Sequence, residues 1–177
     1  MIALLRGINV GGNKLVPMAE LRKLAAGLGW GDVATFIQSG NLTFTAAGTT
    51  AAAEAALEAA LARRFGFTVE VIARTRAAWL RHAAGSPFPA AETDHPKMLL
   101  LGLAKQKPRA DAVEKLRPYA TAGERLALAE GGIWIDYNLG IGKSKLTPAV
   151  LDRAVGSTVT ARNWRTVQEL AALSAPP

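Results

Sequence analysis

The chain has 177 residues and a formal net charge of +7, from 21 Lys and Arg against 14 Asp and Glu, with half its residues apolar and no cysteine. That length supports one compact domain or two small lobes, and the apolar content excludes a chain kept disordered by its charge. The lack of cysteine excludes disulfides, thiolate-held zinc, iron–sulfur clusters and a cysteine nucleophile.

Residues 1–6 read as a short strand that ends in a Gly-rich loop over 7–16. Pro17 suits a first helical turn, and Met18, Leu21, Leu24, Ala25 and Leu28 recur at helical spacing until Gly29 and Gly31 stop the helix. Residues 33–38 and 41–46 are β-rich runs separated only by Ser39-Gly40, which predicts a hairpin. A helix follows over 49–65 with Leu57, Leu61 and Phe65 on one face, then an alternating strand over 68–73 and a short helix over 75–84. The order β-α-β-β-α-β plus a helix predicts a ferredoxin-like α+β lobe over residues 1–85.

The three prolines of residues 86–96 mark a linker. A second α+β lobe of similar element order is expected over 97–177. It holds a strand over 97–103, a helix over 108–117 and a hairpin from 124–129 and 133–137. A helix over 148–155, a short strand over 158–160 and a closing helix over 163–173 complete it. The repeat is one of element order, without evident residue similarity between the halves.

No apolar stretch approaches the roughly 20 residues a membrane span needs. The alanine-rich run over 46–62 is broken by Glu54 and Glu58, and the apolar start over 1–5 is too short for a signal peptide. The expectation is a soluble, cytoplasmic protein without a membrane partner.

Four segments stand out together. They are Leu5-Arg6-Gly7-Ile8-Asn9-Val10-Gly11-Gly12, Gln38-Ser39-Gly40-Asn41, Gly142-Lys143-Ser144-Lys145-Leu146-Thr147 and Thr160-Ala161-Arg162-Asn163-Trp164-Arg165-Thr166-Val167. In this order the sequence resembles a bacterial family known only as the domain of unknown function numbered 1697, from the first strand to the last helix. The resemblance implies a two-lobed α+β protein. It implies no reaction, cofactor or catalytic residue.

In a ferredoxin-like lobe the third strand lies between the first and second and runs antiparallel to both. Arg6 at the end of the first strand then meets Asn41 at the start of the third. The Gly-rich loop and the Ser39-Gly40 turn fall at the same end of the sheet, beside the start of the first helix. Arg6, Asn9, Lys14, Ser39 and Asn41 are thereby drawn together with the backbone N–H groups of Gly11 and Gly12, the inventory of an oxyanion or phosphate site. A structural reading stands beside this one. The glycines can serve only a tight turn, Ser39-Gly40 is ordinary hairpin chemistry, and Arg6 can bind loop carbonyls.

The run Gly140-Ile141-Gly142-Lys143-Ser144 is not a nucleotide-binding P-loop. That motif needs glycine where this chain has Tyr137, and the following helix begins only at Thr147-Pro148. What is left is a basic loop, Lys143 and Lys145 around Ser144, suited to a phosphate or carboxylate or simply solvated. Asn163 is expected to cap the last helix, Trp164 to fill the core and Arg165 to face solvent, leaving Arg162 for a ligand. His82 and His95 lack partners at ligand spacing, so neither a metal nor another cofactor is expected. Asp136, at a strand end near Lys143, is accounted for by a salt bridge. The base-stacking aromatics of RNA-recognition folds are missing, with only Phe44 on the third strand.

Residues 6–14, 138–147 and 160–166 hold Arg6, Lys14, Lys143, Lys145, Arg162 and Arg165 and no acidic residue. The leading expectation is a small anionic ligand held in a basic, Gly/Asn-rich cleft between the lobes, with the 142–147 loop and Arg162 closing over it. Non-sequence-specific contact with a nucleic-acid backbone is the second reading. A structural or self-associating protein without ligand is the third.

Overall fold

The structure, a computed structural model, describes residues 1–138 and 140–175. The chain divides into two units. One comprises Met1–Trp79 and the segment from Glu169 onward, the other Leu80–Gln168.

In the first unit β1 (Ile2–Leu5) is buried at every position. Alternation sends Ala3 and Leu5 into the core beneath α1 (Met18–Gly27), while Ile2 and Leu4, on the opposite face, are also buried. After β2 (Gly31–Phe36), β3 (Asn41–Thr45) adds Leu42 and Phe44 to that core, and Phe44 stacks on Trp30 with ring centroids 4.0 Å apart. The Thr49 hydroxyl accepts the Ala52 N–H to start α2 (Thr50–Phe65), which contributes Leu57 and Leu61. The sheet closes with β4 (Val71–Arg74) in the order β2-β3-β1-β4, antiparallel throughout, which is the ferredoxin-like arrangement.

Two details of this lobe differ from the sequence reading. The hairpin loop has four residues, 37–40, because β2 ends at Phe36 and pairs directly with Asn41. The Asn41 side chain donates to Phe36 O at 2.9 Å and to Ser39 Oγ at 3.0 Å, so a buried amide closes the loop and Ile37 is held at φ +48. At the β4 edge, α2 provides acceptors: Glu58 Oε1 takes the Val71 N–H at 2.8 Å and Glu54 Oε1 the Ala73 N–H at 2.7 Å. These glutamates stand one helical turn apart and occupy donors an edge strand would otherwise present outward.

The division between units falls within α3 (Arg76–Ala83). Residues 86–96, read from their prolines as a linker, contain the short helix α4 (Pro89–Asp94), with Pro89 in its first turn. The second unit then runs β5 (Leu99–Ala104), α5 (Ala112–Leu116), β6 (Arg125–Ala129), β7 (Gly132–Asp136), α6 (Pro148–Val155), β8 (Val159–Asn163) and α7 (Trp164–Leu173). Its sheet order is β6-β7-β5-β8, antiparallel throughout. Counted from its own first strand, this repeats the order of the first sheet. The lobes therefore share a topology as well as an element order. The α7 helix is itself divided, since Gln168 belongs to the second unit and Glu169 to the first. Asn163 Oδ1 accepts the Thr166 N–H at 3.0 Å, Trp164 is buried against Trp134, and Arg165 is exposed, as their sequence positions predict.

Candidate anion site

Loop 6–16 is built around Asn9. Its side-chain Nδ2 donates to Val16 O at 3.0 Å and to Gln38 O at 2.7 Å, and its Oδ1 accepts the Val16 N–H at 2.8 Å. One amide thus fastens both ends of the loop and ties it to the β2–β3 turn. Asn9 holds φ +56, a conformation Asn tolerates better than most residues. Beyond it, Val10 and Asn13 bridge across Gly11 and Gly12, both at positive φ and exposed, so the tight-turn role applies to them.

The cationic side chains of this loop converge. Arg6, Gly7 and Lys14 line one depression of about 540 Å3 together with Thr68 and Glu70. Register explains the company. Leu5 pairs with Val71 across β1 and β4, so the chain beyond Leu5 runs beside Glu70, and the Arg6 N–H donates to Glu70 O at 2.9 Å. The Arg6 guanidinium donates to Glu70 Oε2 at 3.5 Å, with the two side chains 24% and 48% exposed. That is a long contact of a kind solvent screens strongly. Lys14 Nζ donates to the Thr68 carbonyl at 2.8 Å, a neutral acceptor that leaves the ammonium charge uncompensated there. The depression therefore holds two cations and one carboxylate. Thr68 and Glu70 escaped the sequence reading, although the ferredoxin-like order already places the fourth strand next to the first.

Ser39 and Asn41 sit in the adjoining turn and make the turn bonds given above, and neither lines the depression. The first turn of α1 does not line it either.

In the second unit, Lys143 and Lys145 are exposed on the loop before α6. The Ser144 hydroxyl donates to Glu124 Oε1 and accepts the Leu146 N–H, so it serves the loop's fold. Thr147 caps α6, accepting the Val150 N–H. Arg162 is buried in β8, where its Nη1 donates to Thr160 Oγ1 at 3.0 Å and to Ala161 O at 2.8 Å, and burial pushes the guanidinium down to about 10.

Asp136 does form a salt bridge, with Arg125, and a hydrogen bond with His95. Its Oδ2 accepts from Arg125 Nε at 2.9 Å and Nη2 at 2.6 Å, and its Oδ1 from His95 Nε2 at 2.8 Å and the Asn138 N–H at 3.0 Å. Strand register puts Arg125 directly opposite Asp136, a pairing that periodicity alone did not reveal. Burial alone would raise this carboxyl. The Asn138 N–H, Arg125 and His95 outweigh that and hold it below its ordinary value. Among the described residues no group of three His, Asp or Glu side chains is placed to hold a metal ion, and no helix is long and apolar enough to cross a membrane.

Residues 1–134 match the model of a family described as "Protein of unknown function (DUF1697)". The chain belongs to the DUF1697 family. Its resemblance to solved structures includes a conserved bacterial protein, SP0830, from Streptococcus pneumoniae. That protein is 22% identical over 98% of this chain and 97% of its own, with a TM-score of 0.72. At that identity the likeness speaks to the fold alone, over nearly the whole of both chains. No curated protein matches this DUF1697 chain.

Proposed function

We propose that the first lobe binds a small anion, a phosphate or carboxylate group, in the depression formed by Arg6, Gly7 and Lys14. The observation that carries this reading is the convergence of two cations, on a loop fastened by the Asn9 amide, at one open depression. An incoming anion exchanges the long, screened Arg6–Glu70 contact for a direct charge-assisted one and gains Lys14 as a second donor. Glu70 is the opposing element, and it favours ligands with enough charge to compete.

Thermal-shift and calorimetric titrations with inorganic phosphate, sugar phosphates, nucleotides and simple carboxylates test the reading. Stabilisation by at least one of them is expected, lost in Arg6→Ala and Lys14→Ala and strengthened several-fold in Glu70→Gln. No stabilisation by any of them at about 10 mM refutes it. Binding of DNA or RNA that weakens steeply with salt yet survives Arg6→Ala refutes it in favour of diffuse backbone contact.

A further inference from the structure

The face of the first sheet turned away from α1 and α2 carries a separate depression of about 260 Å3, lined in part by Asp32, Thr43, Thr45, Arg76 and Ser174. Alternation along β3 puts Thr43 and Thr45 on this face while Leu42 and Phe44 enter the core. The Thr43 hydroxyl is buried at the depression and, among the described residues, has no hydrogen-bond partner. A buried hydroxyl without a partner is unfavourable, and such groups in folded proteins call for an explanation.

The neighbouring groups supply one. Asp32 sits at φ +50 where the β2–β3 register shifts between Gly31 and Ala34, so the bulge takes it out of the strand's alternation. Thr45 Oγ1 donates to Asp32 Oδ2 at 2.8 Å and orients the carboxylate. Arg76, the first residue of α3, is exposed, and among the described residues it makes no ion pair with Asp32. The Ser174 hydroxyl is engaged by Ala171 O, and the Met1 nitrogen, also at this depression, by Phe44 O. What remains to meet a ligand is one carboxylate, one guanidinium and one hydroxyl, beside an N-terminal ammonium that commits one of its three N–H groups to Phe44 O. Opposite charges that line one depression without pairing suit a molecule that carries both signs.

We propose that this depression binds a small zwitterion of the α-amino acid class, its carboxylate on Arg76, its ammonium on Asp32 and a polar group on the Thr43 hydroxyl. A planar guanidinium is the preferred partner of a carboxylate, and a volume of about 260 Å3 suits a ligand of amino-acid size, just below the range of drug-sized sites.

Calorimetry on the full chain with each standard amino acid tests this. Propionate and ethylamine serve as probes that each keep one of the two charges. Saturable binding of at least one amino acid is expected, with either single-charge probe at least about tenfold weaker. Arg76→Gln and Asp32→Asn are expected to weaken it by about 10- to 100-fold, with unchanged unfolding of Arg76→Gln excluding misfolding as the cause. Thr43→Val, close in volume, is expected to weaken it several-fold. Arg6→Ala leaves this binding intact, which separates it from the anion site. The proposal is overturned if no amino acid binds at about 10 mM, if propionate binds as well as alanine, or if Arg76→Gln leaves affinity unchanged.

Discussion

Replacing Gly40 by alanine is expected to destabilise the first lobe by about 2–5 kcal/mol. Gly40 closes the β2–β3 turn at φ +77, and its carbonyl accepts the Leu5 N–H at 2.8 Å. A Cβ at this position would lie 2.7 Å from Leu5 Cβ, 2.7 Å from Ile8 Cδ1 and 3.1 Å from Ile8 Cγ1. Ile8 Cδ1 can rotate aside, but Leu5 Cβ is fixed to the backbone of the central strand and cannot. The left-handed conformation costs about 1–2 kcal/mol with a Cβ present, and overpacking of a closed site adds about 1–3 kcal/mol. Gly48→Ala is the control, because Gly48 has φ +89 with nothing within 4 Å of the added atom. It carries only the conformational share, about 1–2 kcal/mol. Urea unfolding followed by circular dichroism and tryptophan fluorescence separates the two, as midpoint shifts at unchanged slope. In a thermal scan Gly40→Ala is expected to lose about 4–20 °C and Gly48→Ala about 2–8 °C. Equal losses in the two variants would refute the close approach of the turn to β1.

Glu54→Ala strips the buried Ala73 N–H of its acceptor and is expected to cost about 1–3 kcal/mol, with faster hydrogen exchange at Ala73 and a smaller effect from Glu58→Ala, whose side chain is half-buried. The Asp136 carboxyl is held below its ordinary value of 3.8, so its contribution is in place above that pH and is lost as pH falls through the lower, folded value. Asp136→Asn is therefore expected to flatten the acid limb of the stability profile and to cost about 3 kcal/mol at neutral pH, and superimposable acid limbs would refute it. Thr147→Ala is expected to cost about 1 kcal/mol through loss of the α6 cap, read as a shift in the urea midpoint.

The fold was legible because its signals are local. Apolar spacing in α2, the Thr147 cap and the two hairpins each follow from a few adjacent residues, and their order names the topology. The turn at 37–40 was not legible in the same way, because its length depends on where the Asn41 amide points, and β-branched Ile37 gives no sign of a left-handed backbone. The site divides similarly. Strand order alone brings Arg6 and Lys14 to one end of the sheet. Glu70 requires the β1–β4 register, and the Arg125–Asp136–His95 cluster requires a cross-strand pair 11 residues apart and a histidine 41 residues away. Asn9 shows the opposite limit. Its residue type suits a ligand contact, whereas its bonds fasten the loop.

The two glutamates of α2 have a further consequence for how this lobe behaves among other chains. A sheet grows, in crystals of misfolded protein or in domain exchange, by recruiting a foreign strand to a free border. On the β4 border Glu54 and Glu58 occupy that border's N–H groups from within, so a recruit would have to displace carboxylates held on the lobe's own helix. On the other border, β2, the register shift between Gly31 and Ala34 and the reversed backbone of Asp32 interrupt the template after a few residues. A chain that is half apolar thus keeps its first sheet finite at both margins by two unrelated devices, one a pair of glutamate side chains and the other a kink.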